Sequence, residues 1–241
     1  MVSTPTVART AAALAGLALL LPAPAHAQDF KGKLTIGHHK VKLQKGKIYQ
    51  VIVTGSDGLV PIVDIPVGHL HVVLGTEPKL DKTFCSPDRN AEYEFFVFPP
   101  SFGFPKNGAI DYTLKITPVE LSEKPILEDK NKWDTSDPIY KIEKDTKDSH
   151  FKPYKLQMKA GQIYVINLAK GEEKKGDDKI DPYLYLEGPD GKLVSQDDDS
   201  GGDLNARIIY SPLRDGEYRI IATTLQRATG PYTLTVHTVK E

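Results

Sequence analysis

The chain of 241 residues carries 31 basic and 32 acidic side chains, a formal net charge of −1, so it has no net positive field to collect nucleic-acid phosphates or anionic lipid. Its single cysteine, Cys85, excludes an internal disulfide framework, so each domain must hold together by burying apolar area or binding a metal. Cys85 itself reads as a small buried apolar residue.

At the N-terminus Arg9 precedes an apolar stretch over 11–21, and Pro22-Ala23-Pro24-Ala25-His26-Ala27 places small residues where a signal peptidase reads them. Residues 1–27 are therefore expected to be a cleavable signal peptide, and the mature protein secreted or periplasmic. The apolar stretch falls short of the roughly 20 residues that cross a bilayer core. No later stretch is long and apolar enough, so no membrane span is expected.

Over 31–117 short segments alternate apolar and polar residues: Val41-Leu43, Ile48 to Val53, Leu70 to Leu74, Tyr93 to Phe98 and Tyr112 to Ile116. Period two with Gly, Pro and Asp in the gaps predicts strands. His69 and His71 share a strand face, with His38-His39 upstream. Zinc needs three or four fixed ligands, and no HExxH helix or nearby cysteine completes a set, so these read as packed strand histidines. Phe95-Phe96-Val97-Phe98 runs into Pro99-Pro100-Ser101-Phe102-Gly103-Phe104-Pro105. Phe102 and Phe104 on that loop are candidate ligand-contact residues, the other reading being a loop folded back on its own domain.

Residues 118–149 are rich in both charges and poor in pattern, and read as a charged linker, with Ile139, Tyr140 and Ile142 as a lead-in strand and Trp133 packed into a domain seam. Beyond it, 150–239 again reads as strands, including Tyr154-Leu156-Met158, Tyr183-Tyr185 and Tyr232-Leu234-Val236, with turns at Pro189-Asp190-Gly191 and Arg214-Asp215-Gly216. The second block repeats the first. Lys42-Leu43-Gln44 and Gly46-Lys47-Ile48-Tyr49 return as Lys155-Leu156-Gln157 and Gly161-Gln162-Ile163-Tyr164; Glu92-Tyr93 and Tyr112-Thr113-Leu114 return as Glu217-Tyr218 and Tyr232-Thr233-Leu234. The expected fold is all-β, two tandem antiparallel β-sandwiches of jelly-roll-like type.

Asp181-Pro182-Tyr183-Leu184-Tyr185-Leu186, Gly188-Pro189-Asp190-Gly191, Asp197-Asp198-Asp199-Ser200-Gly201-Gly202, Leu204-Asn205-Ala206-Arg207-Ile208 and Gly216-Glu217-Tyr218, closing on Gly230-Pro231-Tyr232-Thr233-Leu234, resemble the bacterial pre-peptidase C-terminal domain. That family is similar to the collagen-binding domains of clostridial collagenases. The resemblance covers nearly all of 150–239, and reaches the first block only through the duplication. It implies a non-catalytic sandwich serving secretion, folding or attachment, with calcium in some relatives.

The acidic residues carry a reading of their own. Asp177, Asp178 and Asp181 precede one strand, while Asp197, Asp198, Asp199 and Asp203 surround Ser200-Gly201-Gly202. If the two loops meet, their carboxylates repel, and Ca²⁺, with its appetite for about six to eight oxygens, relieves the repulsion. Continued strand alternation would put Asp197 and Asp199 on one side and Asp198 on the other. The candidate metal ligands are therefore Asp181, Asp197 and Asp199, with Asp178 as an outlying fourth. A solvated acidic turn, with Arg207 neutralising one carboxylate, is the alternative.

No GxSxG elbow, phosphate cradle or HExxH is present, so catalysis is not expected. The functional expectation is an exported binding or accessory protein that attaches to an extracellular or envelope protein, matrix component or polysaccharide. A small hydrolase using the acidic loop and a structural role in envelope assembly are the alternatives.

Overall fold

The computed structural model describes residues 27–33, 37–55, 62–64, 70–74, 82–87, 89–98, 111–140, 149–172, 179–225 and 227–240. Among them the chain is all-β, with every strand pairing antiparallel and no helix, so none that is long and apolar enough to cross a membrane. The expected signal peptide lies outside the described residues up to residue 26.

Among the described residues eight strands make the first half: β1 (Gln28–Lys33), β2 (Gly37–Leu43), β3 (Ile48–Gly55), β4 (Ile62–Asp64), β5 (Leu70–Leu74), β6 (Lys82–Pro87), β7 (Ala91–Phe98) and β8 (Asp111–Val119). They form one sheet of order β1-β8-β3-β6-β5 and another of order β2-β7-β4. The second half contains β9 (Leu127–Trp133), β10 (Ile139–Tyr140), β11 (Ser149–Met158), β12 (Tyr164–Lys170), β13 (Pro182–Glu187), β14 (Leu193–Asp197), β15 (Ala206–Tyr210), β16 (Gly216–Thr224) and β17 (Gly230–Thr238). Its sheets run β15-β12-β17-β9 and β10-β11-β16-β13-β14.

In each half the alternate apolar residues of both sheets meet in one core. Val41, Tyr93 and Phe95 join Tyr49, Val51 and Leu114 in the first; Leu184, Tyr218 and Ile220 join Ile166, Ile208 and Leu234 in the second. That arrangement is compatible with two tandem sandwiches. Within the stretch expected as a linker, Leu127–Trp133 and Ile139–Tyr140 are strands of the second half's sheets. Glu128 to Lys132 pair along β17, which gives the charged β9 its strand conformation without a buried face on every residue. Trp133 lies in the second core rather than a seam, stacked on Tyr232 and donating from Nε1 to the Ala222 carbonyl at 3.0 Å.

The duplication is visible atom by atom. β3 lies between β8 and β6 as β12 lies between β17 and β15, and β7 lies between β2 and β4 as β16 lies between β11 and β13. The Tyr49 hydroxyl accepts from the Gln44 amide at 3.0 Å, and that of Tyr164 from the Lys159 amide at 2.9 Å. Tyr93 and Tyr218 donate back to the carbonyls of Arg89 and Arg214 at 3.1 and 3.2 Å. Gly46 and Gly161 turn the intervening loops at φ 76° and 77°, a region that a Cβ disfavours. One detail of the repeat shifts. Tyr93 faces Val41 and Tyr218 faces Leu156, so Leu43 corresponds to Met158 rather than to Leu156. The sequence match slips by two residues at this strand, and a slip of two leaves each side chain on its proper face.

The halves pack back to back through equivalent strands. Ile48 of β3 and Phe84 of β6 are buried against Val165 of β12 and Ile209 of β15, with Val119, Leu121 and Ile163 around them. Tyr49 and Tyr164, next in sequence, face their own cores. Both faces of β3 and β12 are thus covered. Bridges from Leu121 to Val239 and from the Lys240 amide to the Glu120 carbonyl, 2.9 Å, close the seam.

Candidate metal centre

Asp181 immediately precedes β13, and Asp198 and Asp199 immediately follow β14. The two strands form a hairpin that turns at Pro189-Asp190-Gly191, where Gly191 has φ 74°, and the register sets Leu184 opposite Asp197. The start of β13 and the end of β14 are therefore neighbours. Asp181, Asp198 and Asp199 each offer a carboxylate oxygen, and these oxygens lie within 4.8 Å of one another.

Asp197 has a different occupation. Its Oδ2 accepts from the Ser200 amide at 3.0 Å and the Arg207 amide at 2.7 Å, which folds the chain back after β14. Asp178 lies outside the described residues, as does Asp177. The structure thus brings Asp198, not Asp197, beside Asp181 and Asp199. The reason is local: β14 ends at Asp197, so strand alternation does not extend to the next two residues. The signal was Ser200-Gly201-Gly202, a turn that has to begin before the serine.

Electrostatics follow from this crowding. Asp181 Oδ1 and Asp198 Oδ1 are buried and receive no hydrogen bond among the described residues. Burial, reinforced by the charges of Asp199, Asp181 and Asp197, pushes the Asp198 carboxyl up to about 6. Burial and the Asp199 charge raise Asp181 as well, partly offset by Lys170. An unpaired buried carboxylate oxygen costs about 1–3 kcal/mol or more, so the arrangement calls for a proton or a cation between these groups. An all-oxygen donor set suits Ca²⁺ rather than zinc.

The Arg207 charge is felt by Asp197, while its guanidinium nitrogens bond elsewhere. Its Nε donates to Asn167 Oδ1 at 2.6 Å and its Nη1 crosses the seam to Ser86 Oγ at 2.7 Å. Phe102 and Phe104 lie outside the described residues, and so do His69 and the side chain of His71. His38 stacks on Phe96 and His39 bonds the Tyr112 hydroxyl at 2.6 Å, both packed on strands. Cys85 is buried in the first core, where desolvation pushes its thiol up to about 12 and keeps it unreactive.

No protein-family model matches the chain, and no curated protein matches it significantly. The likeness to the pre-peptidase C-terminal domain rests on the motifs quoted above.

Proposed function

We propose that this is an exported, non-catalytic binding or accessory protein that attaches to a protein, matrix or polysaccharide partner at or outside the cell surface, and that Asp181, Asp198 and Asp199 hold a structural Ca²⁺ in its second half. The observation that carries the cation is the pair of buried, unpartnered oxygens facing a third carboxylate. Buried oxygens are poorly placed to meet a substrate, which favours ion holding over hydrolysis. Export is supported by the signal-like N-terminus and by the first strand, which starts at Gln28, so cleavage after Ala27 removes nothing from the sheet.

The test is a melting curve of the mature protein in CaCl₂ and in EGTA. A ligand at a hundred times its dissociation constant stabilises by about 2.7 kcal/mol, equivalent to roughly 5–10 °C for a chain of this size. Curves that superimpose in calcium and chelator would sink the cation. Partner attachment is tested by passing native envelope and exoprotein fractions, and polysaccharides, over the immobilised protein. Retention of none of them at physiological ionic strength, together with turnover of an ester, peptide or glycoside panel, would overturn the binding role.

A further inference from the structure

On one side of each sandwich a strand of one sheet runs beside a strand of the other, β1 beside β2 and β9 beside β11. In both places a polar side chain on the inner face joins the sheets. In the second half Tyr154 of β11 donates to Asp129 Oδ2 of β9 at 2.7 Å, so the Tyr232 hydroxyl of β17 donates to Tyr154 in turn. In the first half Nε2 of His39 on β2 lies 2.6 Å from the Tyr112 hydroxyl of β8, with its ring centroid 4.6 Å from that of Phe30 on β1. The registers make these the same three positions. His39 faces Phe95 as Tyr154 faces Ile220, and Phe30 and Asp129 face Leu114 and Leu234. A Cβ on Gly37 would overlap the Tyr112 hydroxyl, so only glycine there lets the tyrosine reach His39.

The exchanged residues reverse the electrostatics of the joint. The second half has an anion and no base that titrates near neutrality. Burial pushes the Tyr154 phenol up to about 12, and the bond from Tyr154 holds the Asp129 carboxyl below its ordinary 3.8. The first half has a base and no anion. A neutral His39 accepts the Tyr112 proton at Nε2, which an imidazolium cannot do. The imidazolium would lie half-buried against Phe30, whose ring offers a cation far less than a carboxylate does. Its other neighbours do not replace the missing anion. Tyr112 stays neutral, its phenol pushed up by burial, and the residue opposite on β7 is Phe95. Glu94 lies with His38 and Lys40 on the outer face, while Asp29 and Lys31 of β1 and Asp111 of β8 alternate to the faces opposite those of Phe30 and Tyr112. Burial, and then the charge of His38, hold the His39 imidazole below its usual 6.5.

We propose that the contact of His39 with Tyr112 and Phe30 is an acid-sensitive catch that holds β1 and β8 against β2, so that mild acid loosens this side of the first half while the second half, joined by Tyr154 and Asp129, stays closed. The sign follows from the base being neutral in the closed state. Its stabilisation is complete above 6.5 and is lost as pH falls through the lower folded value.

The experiment measures amide exchange in the full mature chain from pH 7.5 to 5, expressed as protection factors, which remove the intrinsic pH dependence of exchange. Each unit by which folding lowers a pKa is worth tenfold in the opening equilibrium, so the β1 amides should lose protection by about three- to tenfold, with β9 unchanged. His39→Tyr copies the second half and should abolish the loss. Phe30→Asp supplies the missing anion, and should keep β1 protected at pH 5 and move the His39 ring titration, followed by NMR, upward. Wild-type β1 protection that is flat over this range, or an equal loss in His39→Tyr, would overturn the catch, as would a ring titration that Phe30→Asp leaves in place.

Discussion

Among the described residues the two halves share a scaffold and differ in the added edge strand β10 and in the partner of one other strand. Between β4 and β6 of the first half, β5 adds to the edge of β6, in the sheet that faces the seam. At the same place in the second half, β14 turns back as a hairpin on β13 and joins the opposite sheet. That change of partner lays the end of β14 beside the start of β13 and brings Asp198 and Asp199 to Asp181. The candidate site of the second half thus depends on the path of a single strand over a shared scaffold. Parts that did not change are those that fix the fold: the tyrosines at the loops, the left-handed glycines and the alternating inner faces.

The largest expected effect strikes at the idea of two halves acting as one body. Phe84 is 1% exposed and belongs to the seam rather than to the first core. Truncating a buried phenylalanine costs about 3–5 kcal/mol. Trp133, the only tryptophan, sits in the second core, so its fluorescence reports that half alone. Phe84→Ala should shift the tryptophan transition in urea together with the circular dichroism. A tryptophan transition untouched by the substitution would mean that the halves are independent.

A smaller effect measures how far the halves are equivalent. Tyr93→Phe and Tyr218→Phe each delete one hydroxyl that donates to a carbonyl four residues back, and each should cost about 1 kcal/mol in urea unfolding. A neutral result at one position and a cost at the other would break the equivalence that the hydrogen bonds suggest.

Much of this was legible before any coordinates. Period-two alternation located the strands, and the repeated Gly-Lys-Ile-Tyr and Gly-Gln-Ile-Tyr words marked equivalent turns. The covering of both faces of β12 was not read from the sequence, although the consecutive apolar residues Ile163 to Ile166 are what such a strand needs. β9 was hidden because an edge strand facing water on one side needs few apolar residues, and Glu128-Asp129-Lys130-Asn131-Lys132 looks like a linker for the same reason that it protects an edge. Asp198 was missed because alternation was carried past the end of β14. Where a strand stops is a tertiary decision, fixed here by the amides of Ser200 and Arg207 on Asp197, and Ser200-Gly201-Gly202 was its one local sign.

The smallest effect is a pH dependence that belongs to the second half alone. Asp198 is held up to about 6, against an ordinary carboxylate value of 3.8. Between these values the folded chain binds this proton and the unfolded chain does not, so the contribution to stability is complete below about 3.8 and is lost as pH rises through about 6. In EGTA the protein should therefore lose stability over that window, in the direction opposite to that of a carboxylate in an ion pair. Asp198→Asn carries no titrating group at this position and should flatten the window, which isolates this residue from other groups titrating nearby. Saturating Ca²⁺ should flatten it too, because the ion takes the place of the proton between the same oxygens. If wild type and Asp198→Asn keep parallel stability curves from pH 4 to 7 in EGTA, the carboxylates are not pressed together as the structure has them, and the contrast between the halves loses its electrostatic basis.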